Sequence, residues 1–212
     1  MKGKFQYRIL RALMICLGVL AISGFSQTAG AADPDPARFQ RSVYALHKKQ
    51  INGHKVRGEE EVGRYAGVSK DYTYRDRHYY DAASGRLISH VRVDGGDPDI
   101  VHIVEVNIYD GEGRLIRDFG SISVPWSPAR PINTMINFHH YNGQLHSFRQ
   151  YDVFGDIKYQ FCEGKLDGRA IHIALDDADL ADMGAEAKTA EEYKACFDGM
   201  PSDWADYANN PR

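Results

Sequence analysis

Hydrophobic and polar residues alternate in several segments of the chain, with the two-residue period of a β-strand that is buried on one side. In the fifth predicted strand, Val104, Val106 and Ile108 share one face, while Glu105 and Asn107 take the other. Such one-sided burial is typical of antiparallel sheets. Segments of this kind, separated by turn residues, predict ten strands near residues 42–51, 54–62, 70–80, 86–93, 100–109, 114–124, 133–141, 144–153, 156–163 and 169–175.

Two kinds of turn signal separate these strands. Asn52-Gly53 and Asn142-Gly143 are dipeptides that favour two-residue type I′ turns, because both central residues must tolerate positive φ. Other turns start with Tyr-Asp and contain a glycine. Their aspartate can accept hydrogen bonds from the turn backbone, and the glycine supplies a left-handed residue. These turns begin at Tyr80, Tyr109 and Tyr151.

The tyrosine–aspartate turns resemble the YD repeats of RHS-type proteins, whose strands form long antiparallel meanders. The resemblance covers three short segments, which are spaced 29 and 42 residues apart. It implies a meander and nothing about activity. We therefore predict a mainly β fold, an antiparallel meander that forms a curved sheet or an open barrel, with a C-terminal helical segment.

The C-terminal segment has a helical period. Apolar residues recur there at intervals of three and four, which predicts a helix over about residues 177–198 with one buried face. A second capping signal at Thr189 leaves two short helices as an alternative. The apolar positions are Leu180, Met183, Ala187, Ala190, Tyr193 and Phe197.

The first 31 residues have the three regions of a signal peptide. A basic start is followed by the apolar run 12–25 and by Ala29-Gly30-Ala31, which fits the cleavage rule. A retained N-terminal anchor is the alternative, but this run is short for the roughly 30 Å of membrane hydrocarbon. We expect cleavage near Ala31, a periplasmic or secreted location, and no transmembrane span in the mature chain. Residues 32–41 would then be an extended linker and residues 42–212 a single β-rich domain.

Removal of the signal peptide leaves an acidic chain. The peptide carries 4 of the 26 basic residues and none of the 29 acidic ones, so the mature net charge is 22 − 29 = −7. With no basic block, nucleic acid is not an expected partner.

Only Cys162 and Cys196 remain after cleavage, because Cys16 lies in the signal peptide. An even number of cysteines in an oxidising compartment predicts a disulfide between them. A catalytic dithiol is the alternative, although the two cysteines do not form a Cys-x-x-Cys pair.

Three histidines surround the second Asn-Gly pair. If Asn142-Gly143 forms the turn, His139 faces His146 across the hairpin, and His140 points to the other side. Two imidazoles are half of a structural zinc site. We therefore expect no required cofactor and only weak zinc or copper binding at this pair, with an exposed hairpin face that binds no metal as the alternative.

A proline-rich connection at residues 123–131 contains Trp126 and Arg130, residue types that are enriched at binding hot spots. Trp126 either serves a partner or folds back to close one end of the sheet. With Tyr141 of the histidine hairpin, these residues are the candidates for ligand or partner binding.

Motifs for catalysis are missing: the chain has no Gly-x-Ser-x-Gly, phosphate-binding loop or His-Glu-x-x-His. We expect an exported, non-enzymatic binding or accessory protein of a bacterial-type cell envelope. Its ligand would be an apolar small molecule or an envelope protein. A small periplasmic enzyme or a metal-binding protein that uses the His139/His146 face is the alternative.

The signal peptide generates the first prediction. The mature chain should begin at or within two residues of Ala32, because cleavage follows the small-x-small site. Intact mass of the protein from the periplasmic or secreted fraction measures this, and a full-length membrane-bound species as the only product would contradict it.

Overall fold

The computed structural model describes residues 34–67 and 72–212, so the predicted signal peptide lies outside the described residues. Nine strands form one sheet in chain order, each antiparallel to its neighbours. The first and last strands pair on one side only, which makes this an open sheet and confirms the predicted antiparallel meander. The strands are β1 (Val56–Arg64), β2 (Thr73–Asp81), β3 (Leu87–Asp94), β4 (Val101–Tyr109), β5 (Leu115–Ile122), β6 (Asn133–Asn142), β7 (Gln144–Tyr151), β8 (Ile157–Leu166) and β9 (Arg169–Asp176).

The first predicted strand, 42–51, was wrong, and so was the extended linker over 36–41. Both lie in a helix, α1 (Pro36–Gly53), and Asn52-Gly53 ends this helix instead of forming a hairpin turn. Asp35 starts α1 by accepting a hydrogen bond from the amide of Ala37. The helix forms because its buried residues follow a helical period and lie on one stripe. They are Phe39, Gln40, Val43, Leu46 and His47.

Helix α1 covers one face of the sheet and creates the core. Phe39 and Val43 are fully buried against the central strands. On that face Val106, Phe119 and Ile136 are cross-strand neighbours, and all are fully buried. The alternation in the sequence therefore has a direct cause, since every second residue of β4, β5 and β6 points towards α1.

The tyrosine–aspartate turns have the predicted chemistry. In each turn, Oδ1 of the aspartate accepts hydrogen bonds from two backbone amides at 2.7–3.1 Å. The glycine of each turn has positive φ, between 73° and 94°, which an L-residue adopts only with strain. The aspartates are Asp81, Asp110 and Asp152, and the glycines are Gly85, Gly113 and Gly155.

The predicted C-terminal helical segment is present, but it is broken into short helices. The single helix predicted over 177–198 was therefore wrong, and the alternative of short helices is the one that the structure has. Gly184 lies where that helix would continue, and glycine costs about 1 kcal/mol relative to alanine in a helix. The first piece buries no side chain that could offset this cost. The helices are α2 (Asp177–Asp182), α3 (Glu191–Phe197) and α4 (Trp204–Asn209), with a 3₁₀ turn at Ala187–Thr189.

A disulfide between Cys162 and Cys196 joins β8 to α3, as the sequence predicted. Both cysteines are fully buried, on the sheet face that α1 covers. Helix α4 packs on the same face, where the ring of Tyr207 lies 5.4 Å from that of Phe138. The disulfide therefore ties α3 to the sheet face that α1 also covers.

Helix α1 is the longest helix of the described residues, but it is too polar to cross a bilayer. No other helix in residues 34–67 and 72–212 has both the length and the apolar character of a membrane span.

The second prediction concerns the disulfide. Cys196→Ala should lower the free energy of unfolding by about 2–4 kcal/mol, because the unfolded chain is no longer cross-linked over a long loop. Urea unfolding with and without reductant measures this. Reductant should destabilise the wild type and leave the variant unchanged; two free thiols per mature chain before reduction would contradict the assignment.

Candidate functional site

The face of the sheet opposite α1, α3 and α4 carries most of the candidate chemistry, and we call it the polar face. Its residues alternate with those of the core along each strand. Asp118, Asn137 and Gln150 are cross-strand neighbours on this face. Asp118 and Asn137 are adjacent in sequence to the core residues Phe119 and Ile136, whose side chains point to the other face.

The β6–β7 hairpin has a different register from the one predicted. His139 pairs with Phe148, and His146 pairs with Tyr141. Gly143 has a φ of 59°, whereas Gln144 does not have a positive φ. This is the pattern of a type II′ turn, in which glycine takes the first of the two central positions. The turn is therefore made by Gly143 and Gln144, not by Asn142-Gly143.

His139 and His146 nevertheless touch, as the sequence predicted. The change of register moves β7 by two residues, which keeps every side chain on its predicted face. The two histidines become diagonal neighbours, with His139 Nδ1 3.1 Å from His146 Nε2. His140 points to the other face and lies against Gly199, as expected for the excluded histidine.

Strands β5 to β7 extend this contact into a chain of hydrogen bonds. His139 Nε2 lies 2.9 Å from Asp118 Oδ2. The other oxygen of Asp118 accepts a hydrogen bond from Asn137 Nδ2 at 2.6 Å. Gln150 Nε2 in turn donates to Asn137 Oδ1 at 3.1 Å. Each polar group thus orients the next, from Gln150 to His146.

This chain of hydrogen bonds determines which ring nitrogens of His139 and His146 carry a proton. A carboxylate only accepts hydrogen bonds, so His139 donates from Nε2 to Asp118. In the neutral ring, Nδ1 is then an acceptor, and His146 donates to it from Nε2. The two rings can act as a proton relay or, with a change of tautomer at His146, as a pair of metal ligands.

Aromatic rings enclose the pair. Tyr141 stacks on His146 with ring centres 4.7 Å apart, and Phe161 meets the same ring edge-on. Phe148 lies 5.0 Å from the ring of His139. The pKa of His146 is lowered because its ring is buried and His139 lies beside it, although Glu163 acts in the opposite direction.

A second cluster on the polar face surrounds His90. Its Nε2 is 2.7 Å from Asp76, and its Nδ1 is 3.0 Å from Glu105. Both nitrogens must carry protons to donate these two bonds at once, so this arrangement favours the imidazolium form of the ring. Burial alone would lower the pKa of His90, but the hydrogen bonds to Glu105 and Asp76 raise it above the ordinary value. Arg92 also binds Asp76, through two nitrogens.

Sequence analysis missed Asp118 and the whole His90 cluster. These residues are distant along the chain, and only the register of three neighbouring strands brings each cluster together. The one signal in the sequence was that each occupies a polar position of an alternating strand. Within residues 34–67 and 72–212, no group of three or more histidine, cysteine or acidic side chains is placed to hold a metal ion.

The other candidate region is the end of the sheet that holds the start of α1 and the connection from β5 to β6, which we call the loop end. Trp126 is 61 % exposed there, and Arg130 on the same connection is also exposed. Trp126 does not close the sheet, because Tyr207 of α4 already packs against Phe119 and Phe138.

The three predicted binding residues do not converge. Trp126 and Arg130 precede β6, whereas Tyr141 lies near its far end, at a distance of about 25–30 Å along the strand. Tyr141 belongs to the histidine pair, where its ring stacks on His146 and its hydroxyl donates to the carbonyl of Leu115.

Comparison of the chain with protein-family models, with curated proteins and with solved structures finds no match in any of the three. The geometry of the two regions is therefore the basis for a functional proposal.

The third prediction follows from the opposite pKa shifts on the polar face. His146 has a pKa below its ordinary 6.5, so the unfolded chain binds the proton more readily and stability falls as the pH drops below 6.5. His90 has a pKa above 6.5, so its stabilising effect is complete below 6.5 and is lost as the pH rises through the folded value.

When the pH falls from about 7.5 to about 5.5, the free energy of unfolding should decrease less in His146→Gln than in the wild type. In His90→Gln it should decrease more than in the wild type. Urea unfolding at the two pH values, with a chelator present, measures this. The buried His47, whose burial lowers its pKa to about 4, titrates equally in all three proteins. Equal pH dependence of both variants would contradict the assignment of these shifts.

Proposed function

We propose that this chain is an exported, non-enzymatic accessory protein that binds a protein partner of the cell envelope through its loop end. The proposal rests on one observation, the exposure of large hydrophobic side chains around the start of α1. Export is inferred from the N-terminal sequence.

Five large hydrophobic side chains are exposed among the described residues, and three of them lie at the loop end. Trp126 is 61 % exposed, Ile132 67 % and Phe154 57 %. Exposed large apolar side chains are costly in water, and several of them at one end of a sheet are typical of an interaction site. The other two, Val62 and Tyr159, lie on separate strands and form no such group.

The first turn of α1 lies between two depressions of the loop end. Pro36 lines one of them together with Pro131, Ile132 and Phe154. Ala37 lines the other, a groove of about 310 Å³ between α1 and the proline-rich connection. The prolines hold this connection in a fixed shape, so that a partner binds it with little loss of conformational entropy.

A carried apolar molecule is less well supported than a protein partner. A carrier needs an internal space for its ligand, and here α1 occupies the covered face of the sheet. Phe39, Val43 and Phe119 meet there with no exposed surface. The groove beside α1 is near the lower end of the range of about 300–1,000 Å³ for small-molecule sites.

The fourth prediction tests the loop end directly. A photoreactive amino acid placed at Trp126 or Phe154 should give a discrete cross-linked product with an envelope protein in cells. The same residue at Val62 should not, although Val62 is as exposed as Ile132. Gel mobility and mass spectrometry of the products measure this.

Trp126→Ala should weaken binding to the cross-linked partner by at least about 30-fold, since a buried tryptophan at an interface contributes about 2 kcal/mol or more. Val62→Ala is the matched control and should leave the affinity unchanged. Equal cross-linking from all three positions would contradict the proposal. The proposal would also be contradicted if native mass spectrometry found a retained lipid and no cross-linked product formed in cells.

A further inference from the structure

The two imidazoles on the polar face meet head-on. Their facing nitrogens are 3.1 Å apart, and their ring centres are 5.4 Å apart in nearly parallel planes. The remaining 5.4 − 3.1 = 2.3 Å is about twice the distance from the centre of an imidazole to its nitrogen, so both nitrogens lie on the line that joins the rings. Each nitrogen thus points at the other, and a single proton fills the space between them.

Asp118 decides which nitrogen of His139 takes part. By accepting the Nε2 proton, it leaves the lone pair of Nδ1 directed at His146. Metal-binding histidines commonly donate their second ring nitrogen to a carboxylate in this way, which fixes the ring and strengthens the ligand. The carboxylate is itself held by Asn137, whose exposed fraction is 6 %.

We propose that His139 Nδ1 and His146 Nε2 bind one divalent transition-metal ion of the zinc or copper class, with Asp118 as the positioning residue for His139. The ion takes the place of the shared proton. His146, neutral before and after, then carries its proton on Nδ1 in place of Nε2, so the exchange requires no net loss of a proton from the ring.

The distance between the two nitrogens needs only a small change, whereas each lone pair must turn by about 35° from the line that joins the rings. Two nitrogens bound to a tetrahedral zinc ion at about 2.0–2.1 Å are about 3.3 Å apart. The observed separation is 3.1 Å, so the main adjustment is a tilt of the rings that directs both lone pairs at one point. His146 can tilt further than His139, because no carboxylate fixes its second nitrogen within the described contacts.

The remaining coordination positions are open to water and to one carboxylate. Glu163 is the cross-strand neighbour of His146 on β8 and is exposed, so its side chain is free to turn. Phe148 and Phe161 border the pair on the same face and limit access of water from the β7–β8 side. Two imidazoles with one carboxylate form a ligand set that zinc uses when it keeps an open position.

The test is titration of the folded chain with Zn²⁺ and with Cu²⁺. The full chain with Cys16→Ser is the common background, because a free thiol would bind either ion. One ion per chain should bind, and His139→Gln or His146→Gln should weaken binding by more than about 100-fold. Asp118→Asn keeps both ligands and should weaken binding by about 10–100-fold, as expected for an orienting carboxylate.

His140→Ala is the control, since His140 lies on the same hairpin but points to the opposite face. Its affinity should equal that of the background protein. The electron paramagnetic resonance spectrum of bound Cu²⁺ should show two nitrogen ligands in the background protein and one in His146→Gln. Circular dichroism of each variant confirms that a loss of binding is not a loss of fold.

Two results would overturn the proposal. One is the absence of stoichiometric uptake of either ion by the folded background protein. The other is uptake that His140→Ala weakens as much as His146→Gln does. Neither result depends on a protein partner, so the outcome is independent of the function proposed for the loop end.

Discussion

Burial of a single face of the nine-strand sheet is the constraint on which the rest of this structure depends. A sheet of this width exposes two large surfaces, and α1 with the C-terminal helices covers only one. Because side chains alternate between faces, each buried residue such as Val106 or Phe119 commits its neighbours to the opposite surface. That second surface must be compatible with water, which explains why carboxylates, histidines and amides line it.

The polar face is nevertheless not an ordinary solvated surface. Asn137 and Asp76 are almost completely buried there, because neighbouring long side chains of adjacent strands cover them. Buried polar groups are tolerated when each has a hydrogen-bond partner, and both clusters satisfy this condition. The consequence is two histidines with opposite electrostatic environments on one sheet face: hydrogen bonds to carboxylates raise the pKa of His90, whereas burial and the neighbouring His139 lower the pKa of His146.

In the two proposals made above, the two ends of the sheet have different roles. At the loop end, α1 begins and rigid prolines hold apolar side chains in water, an arrangement that favours contact with another macromolecule. The histidine pair lies towards the other end of β6, next to the hairpin turn. The disulfide at Cys162 connects the strand beside this hairpin to α3, and so ties the C-terminal helices to the same part of the sheet.

The sequence by itself determined the strands β1 to β9, the Tyr-Asp turns and the contact of His139 with His146, because each depends on local period, turn chemistry or the face of a strand. It also determined the disulfide, because only two cysteines follow the predicted signal peptide. The tertiary structure decided in favour of a helix over residues 36–53, where the local signals conflicted: the cap at Asp35 and the helical stripe favour a helix, whereas Asn52-Gly53 favours a turn. The tertiary structure also decided that Asp118 reaches His139 and that Trp126 stays exposed. Those outcomes depend on which strands become neighbours and on Tyr207 filling the space over Phe138, and such long-range packing leaves no local pattern in the chain.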